Sequence, residues 1–458
     1  MTSNASRREF LKRASALSAS GVAAPFAINL AALGEAAAAN ATGYKALVCV
    51  FLYGGNDYAN TVVPYDGASY ALYQAQRAAI AIPQASLAGT VLNPALALGG
   101  GRQFALAPEL SGLVPLFDAG KMAVLLNVGT LIQPTSKTQY TNKSAPLPPK
   151  LFSHNDQQSV WQSSSPEGSR SGWGGRMGDL FAASNGNATF TCVSASGNAV
   201  FLSGQSAVQY QVTSNGSVPL NGLKNPLFGS SACSAALRTL VTAPRTHLFE
   251  SEHTRIMTRS IDADVQLTTA LAGTTPLATV FPSGNTLAGQ LDMVARMIAA
   301  RSSLGAKRQV FFVSIGGFDT HDNLLQDHPA LMGQVGPALT AFQAAMTELG
   351  VADLVTTFTA SDFGRTLTTD GDGSDHGWGS MHFVLGGGAV RGRAFYGTPP
   401  VIANNGPDDV GQGRLLPALA VDQFGATLGK WFGVSDTELA TVMPNLANFT
   451  ARDLGFMA

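Results

Sequence analysis

The sequence is poor in charge and in cysteine, and its main part has no long apolar run. Charged residues make up 12% of the 458 positions, with 28 basic and 29 acidic side chains. Neither sign dominates, so nucleic acid is not expected as a partner, nor an anionic membrane surface. After residue 41 no apolar stretch approaches the ~20 residues that cross a bilayer, and no stable membrane span is expected. The three cysteines, Cys49, Cys192 and Cys233, form no Cys-x-x-Cys pair, which argues against a cysteine-based structural zinc site. Cys49 lies inside an apolar run and reads as a small buried hydrophobe, whereas pairing of Cys192 with Cys233 is left open. With no Gly-x-Gly-x-x-Gly loop and no cysteine cluster, a redox protein is the weakest functional class. The sequence contains no internal repeat, and its 50 glycines suit a loop-rich exported protein better than a helical bundle.

What is present begins with an address. Ser6-Arg7-Arg8-Glu9-Phe10-Leu11-Lys12 precedes a mildly apolar stretch, Ala14 to Leu33, and a small-residue zone, Ala36 to Ala41. That is the order of a signal peptide, and the paired arginines resemble the consensus read by the twin-arginine translocon. Residues 1–41 are therefore expected to be removed, with cleavage between Ala39 and Thr42. The protein is expected to be periplasmic or secreted, with the translocon as its partner during export. Export in folded form suits a protein that takes up a cofactor beforehand.

The remainder, 42–458, alternates buried strands with amphipathic helices. Residues 46–52, 122–128, 310–315 and 354–359 are short apolar runs bounded by turns, the mark of strands covered on both faces. Helices are expected near 107–119, from Asn285 to about Ser303, from Leu331 to Gly350 and near 421–432. Ser435-Asp436-Thr437-Glu438 reads as a capping box. The pattern predicts an α/β fold with a mostly parallel sheet. Residues 184–282, rich in Ser, Thr, Asn and Gly, read as an insertion or cap, with β-like stretches at 188–193 and 199–202 and a helix near 245–266.

Three of the four strands run into loops that carry an aspartate: Asp57, Asp319 and Asp362. Ligands of open α/β sheets bind beyond the carboxyl ends of the strands, so these carboxylates should meet on one edge. Four of the seven histidines, His154, His321, His376 and His382, lie near carboxylates in the same clusters. Mixed Asp/His sets are how hydrolases hold zinc or manganese, to polarise an ester and activate an oxygen nucleophile. Ser153 opens a helix and reads either as its N-cap or as a nucleophile at a helix N-terminus. Arg365 reads either as a clamp for an anionic group or as a pin for its own loop.

The order of the motifs resembles a bacterial family, domain of unknown function 1501, grouped with the alkaline phosphatase and sulfatase superfamily. The resemblance rests on the twin-arginine start, Gly54-Gly55-Asn56-Asp57, Leu151 to Trp161 and Gly172-Trp173-Gly174-Gly175-Arg176. It also rests on Gly316-Gly317-Phe318-Asp319-Thr320-His321, Ser361-Asp362-Phe363-Gly364-Arg365-Thr366 and Asp375-His376-Gly377-Trp378-Gly379. It implies a three-layer alkaline phosphatase-like sandwich and hydrolysis of phosphate or sulfate esters, carried by an anionic small molecule or polymer. One metal would take Asp57, Ser153 as nucleophile and Asp362; another would take Asp319, His321 and His376. The implied ion is zinc first, with manganese or calcium as alternatives, and His154 is a further catalytic candidate. The chain departs from the superfamily pattern where His321 stands two residues after Asp319 rather than four, and where Phe363 replaces a histidine after Asp362. Asp375-His376 offers an alternative Asp-His pair. The competing function is a non-catalytic binding or assembly factor at the cell surface.

Overall fold

The computed structural model describes residue 41 and residues 43–458, so the expected signal peptide lies outside the described residues apart from Ala41. The strands of the central sheet are, in chain order, β1 (Lys45–Leu52), β2 (Met122–Gly129), β3 (Cys192–Ser194), β4 (Tyr210–Thr213) and β5 (Gly216–Ser217). They continue with β6 (Arg308–Ile315), β7 (Val355–Ser361), β8 (Ser380–Leu385), β9 (Ala394–Tyr396) and β10 (Leu419–Ala420). Their spatial order is β9-β2-β8-β7-β1-β6-β3-β4-β5, with β10 beside β2. β7, β1, β6, β3 and β4 pair in parallel, while β8 runs antiparallel to both β7 and β2.

The main helices are α1 (Gly67–Gln76), α2 (His154–Ser163), α3 (Trp173–Phe181), α4 (Ser231–Thr242) and α5 (Leu248–Ala272). They are followed by α6 (Thr286–Ala299), α7 (Leu324–Glu348), α8 (Val421–Phe432) and α9 (Asp436–Val442). Alternate residues of β1 serve two cores, because successive strand side chains point to opposite faces. Ala46, Val48 and Val50 pack in the core that includes α6 and α7. Leu47, Cys49 and Phe51 pack in the core that includes α3, α8 and α9. Helices on both faces of a mostly parallel sheet make the expected three-layer α/β sandwich. No helix among the described residues is long and apolar enough to cross a membrane.

Local expectations hold where burial and capping agree. Asn285 caps α6 by accepting from the Ala288 amide, and Ser435 forms a complete capping box with Glu438. Three readings need correction. Residues 199–202 are a 3₁₀ turn whose Phe201 packs against Trp173 of α3 and against Phe312 and Phe358 on the face of the sheet, so they are buried without being a strand. The stretch 188–193 is mostly a 3₁₀ turn, started by the Asn187 side chain on the Thr189 amide, and only Cys192–Ser194 is strand. Helix α7 begins well before Leu331 and runs through Pro329 and Pro337, each of which leaves one carbonyl without its intrahelical donor. Residues 184–282 include β3 and β4, which extend the main sheet; α4 and α5 follow at that edge, and α5 packs on β5. All three cysteines are free thiols.

Helix α7 also carries His328, which sequence reading passed over. Its ring is buried, with Nε2 3.2 Å from Asn56 Oδ1 and 3.3 Å from Thr61 Oγ1. Burial pushes its pKa down to about 4; Asp57 pulls the other way and Arg77 adds to the depression. The folded state therefore binds this proton less readily than the unfolded chain. Stability is full above pH 6.5 and should decline from there toward pH 4, by on the order of 3 kcal/mol. His382, buried and pushed down to about 3, adds a second loss of the same sign. Urea unfolding at several pH values should show a shallower decline in His328→Gln than in the parent; equal slopes would contradict a neutral, buried His328.

Candidate metal centre

Three loops that leave the carboxyl ends of β1, β6 and β7 are drawn together by one side chain. Arg365, fully buried, donates from Nη1 to Asp319 Oδ1 at 2.6 Å and to the Gly54 carbonyl at 3.2 Å, and from Nη2 to the Ser374 carbonyl. The loops can approach this closely because Gly54 has φ +115°, and an added Cβ there would stand 2.4 Å from the Asp319 amide nitrogen. A left-handed backbone with no room for a side chain requires glycine.

Around Asp319 the imidazoles gather. His154 Nε2 lies 3.3 Å from Asp319 Oδ1, His321 Nε2 3.1 Å and His376 Nε2 3.1 Å. His376 Nε2 also lies 3.0 Å from His154 Nε2 and 2.9 Å from His321 Nε2. The far nitrogen of each ring faces an oxygen that can only accept. His154 Nδ1 is 2.7 Å from Asp362 Oδ2, His376 Nδ1 is 2.7 Å from the Phe152 carbonyl, and His321 Nδ1 is 3.4 Å from Asp370 Oδ2. Nδ1 therefore carries the proton, and the Nε2 lone pairs turn inward. Outward acceptors that fix the tautomer are the usual support of metal-binding histidines. Lone pairs and a carboxylate oxygen crowded together need a positive charge among them. Within the His154, Asp319 and His376 triad the separations of 3.0, 3.3 and 3.1 Å suit donors 2.0–2.1 Å from a four-coordinate ion, which stand roughly 3.3 Å apart. His154, Asp319 and His376 form one such donor group, and His321, Asp375 and His376 a second that shares His376.

Burial and neighbouring charges shift these groups in different directions. Burial opposes ionisation of Asp319, but the hydrogen bond and charge of Arg365 outweigh it and hold the carboxyl below the ordinary range. The bond to Asp362 raises His154 against the effect of burial, while burial lowers His376. Phe363 packs its ring 4.9 Å from the rings of both His154 and His376. It is an apolar wall that sets the orientation of the two imidazoles.

The remaining candidates stand outside the group around Asp319, though Asp375 belongs to the second donor set. Asp57 is fully buried and closed: Oδ2 accepts from Arg77 at 2.6 Å and from Ser374 at 2.9 Å, and Oδ1 accepts from the Asn60 amide at 2.9 Å. Asp57 therefore does not join the donor cluster, because Arg77, which directly follows α1, neutralises it. Burial would raise its pKa, but the charge of Arg77 lowers it overall. Asp362 supports His154 rather than entering the cluster; the same oxygen accepts from Gln158 at 2.8 Å, and Oδ1 is buried without a partner. Arg365 is the loop pin, since its buried guanidinium is committed to the protein. Asp375 accepts from the His376 amide at 2.7 Å and from Arg414 at 2.8 Å. Ser153 lies between two residues of the cluster's support, and its hydroxyl donates to Asp156 Oδ2 at 2.9 Å. It precedes α2 without using its side chain as a cap. His382 is 1% exposed, among Trp161 and Phe424, and plays no part here. Sequence reasoning missed Arg77, Asp370 and Arg414, none of which carries a local motif, and it quoted Gln158 only as part of Leu151 to Trp161 without a role.

If Asp57 is a structural anion, Arg77→Met should lower the unfolding free energy by about 3–5 kcal/mol, because it leaves a buried carboxylate unpaired. Adding Asp57→Leu should recover much of that loss and leave the metal content unchanged. A stable double variant that has lost its metal would place Asp57 in the centre after all.

Comparison with known proteins gives the chain a family. A family described as "Protein of unknown function (DUF1501)" matches residues 44–443. Among solved structures, Ps i-CgsB in complex with k-i-k-neocarrahexaose is similar at 9% identity, covering 87% of this chain and 74% of that one, with a TM-score of 0.38. The PsFucS1 sulfatase from Pseudoalteromonas sp. is similar at 10% identity, 94% and 75% coverage and a TM-score of 0.34. The lipoteichoic acid synthase LtaP from Listeria monocytogenes is similar at 10% identity, 87% and 74% coverage and a TM-score of 0.33. No curated protein matches the chain significantly. Since the family match spans most of the sequence and the motifs that form this centre, the chain belongs to the DUF1501 family.

Proposed function

We propose that the chain is an exported metal-dependent hydrolase of phosphate or sulfate esters with Ser153 as its nucleophile. The observation that supports this most is the convergence of His154, His321 and His376 Nε2 with Asp319 Oδ1. Three nitrogens and a carboxylate suit zinc first and manganese next, whereas calcium prefers an all-oxygen set. A divalent cation held there supplies Lewis acidity toward the charge that develops on the ester.

The chain's own residues supply the rest. Ser153 follows Phe152, whose carbonyl holds His376, and precedes His154, so both neighbours tie it to the centre. Phe152 has φ +72°, a left-handed backbone at a bulky residue, and such outliers cluster at functional sites. Asp156 accepts the Ser153 hydroxyl hydrogen and so offers a place for the proton released on attack. The N-terminus of α2 and the exposed Lys150 ammonium, 3.5 Å from Asp156, favour an anionic group beside Ser153. Removal of residues 1–41 and twin-arginine export to the periplasm or beyond belong to the same proposal.

A second reading, a non-catalytic binding or assembly factor at the cell surface, is favoured by one observation. Arg365 is spent within the protein, so it offers no guanidinium fork to a substrate anion.

The test is turnover of aryl phosphates and aryl sulfates by protein purified after native export. The expected result is activity that a chelator removes and zinc or manganese restores, and that falls by about 10³-fold or more in Ser153→Ala. Full activity in Ser153→Ala would move the nucleophile to water. Bound metal without turnover of any ester would favour the second reading.

A further inference from the structure

We infer that an uncharged carbohydrate chain binds in a cleft beside the metal centre, along the same edge of the sheet. The cleft has a volume of about 580 Å³, within the range that holds small ligands. Its walls come from the segments that leave β3 and β4 and from the start of α6. β3 is the neighbour of β6, and the β6 strand leads into Asp319. The cleft and the centre therefore open on the same carboxyl edge of the parallel strands. Gln290 ties the cleft wall to β6: it donates to the Ser314 carbonyl at 2.9 Å and accepts from the Ser314 amide at 2.9 Å.

The chemistry of the wall narrows the ligand. Gln211, Thr213, Ser214 and Thr286 contribute hydroxyls and an amide, and no Asp, Glu, Lys, Arg or His lines the cleft. Ser196 Oγ is buried and has no hydrogen-bond partner among the described residues. An ionic ligand would find no countercharge there, and a lipid chain would strand the polar wall. Neutral hydroxyls and amides, with Ala195, Val212 and Val218 between them, match a sugar, whose hydroxyl rim and C–H faces need both kinds of contact. Much of this wall belongs to residues 184–282, which gives that segment a role in holding substrate.

The inference deepens the ester hydrolase reading: the cleft would hold the part of a polymeric substrate that carries no ester, while the anionic ester lies at the centre. Binding can be tested without turnover. Gly289 lines the cleft from α6, and an added Cβ there meets only Ser214 Cβ, at 3.5 Å. Gly289→Phe should fill the cleft, and removing a glycine from the helix interior favours the fold. Calorimetry of the exported protein should use neutral hexasaccharides of glucose, galactose, mannose and N-acetylglucosamine. We expect at least one to bind with Kd of about 1 mM or tighter. Gly289→Phe should weaken it at least about tenfold, with unchanged metal content and no fall in melting temperature. Binding to none of them, equal binding by Gly289→Phe, or binding of uncharged peptides in their place would overturn the inference. Binding that Gly289→Phe abolishes, in a protein that cleaves no ester, would uphold the cleft and remove the hydrolase reading.

Discussion

The guanidinium of Arg365 binds three loops that share no sequence neighbourhood. Through Asp319 it fixes the segment after β6, through the Gly54 carbonyl the segment after β1, and through the Ser374 carbonyl the approach to Asp375 and His376. A buried guanidinium that lost any of these acceptors would face a desolvation cost of several kcal/mol. Its bonds therefore resist separate rearrangement. Asp319 is held ionised by the same contact that positions it, so one interaction sets both the charge and the place of the central carboxylate.

A division of labour among like residues follows. Asp57 and Asp319 both end Gly-Gly-x-Asp loops at the carboxyl ends of neighbouring parallel strands. They differ only in what surrounds them. Asp57 meets Arg77 in a closed, dry environment and stabilises the fold, whereas the Asp319 side chain is 45% exposed and faces three imidazoles. Asp362, after β7, takes a third role, as the acceptor that turns the His154 Nε2 inward. Pre-set tautomers of this kind reduce the reorganisation needed when a cation enters.

The sandwich and the edge that carries the site were legible in the sequence. Long buried strands such as β1 and β6 announce themselves by unbroken apolar runs, and parallel topology places their outgoing loops together. Other features had no local signal. β4 and β5 are too short for a period to show, and the apolar run at 199–202 is a turn packed between Trp173 and the face of the sheet. Asp57 and Asp319 could not be told apart, because the partner that separates them, Arg77, sits in an unremarkable Gln-Ala-Gln-Arg-Ala stretch. Phe363 looked like a departure from a metal-binding pattern, yet its ring packs against two of the histidines. The neutral cleft beside the centre is an arrangement of three separated segments and leaves no motif.

The account turns on whether the atoms gathered around Asp319 hold a cation. X-ray absorption at the metal edge, on protein purified after native export, addresses this directly. The prediction is a single first-row metal with a shell dominated by imidazole nitrogen at about 2.0–2.1 Å, and with loss of those nitrogens in His376→Ala but not in Asp57→Asn. An all-oxygen shell, or a metal lost in Asp57→Asn while His376→Ala keeps it, would contradict the centre described for His154, Asp319, His321 and His376.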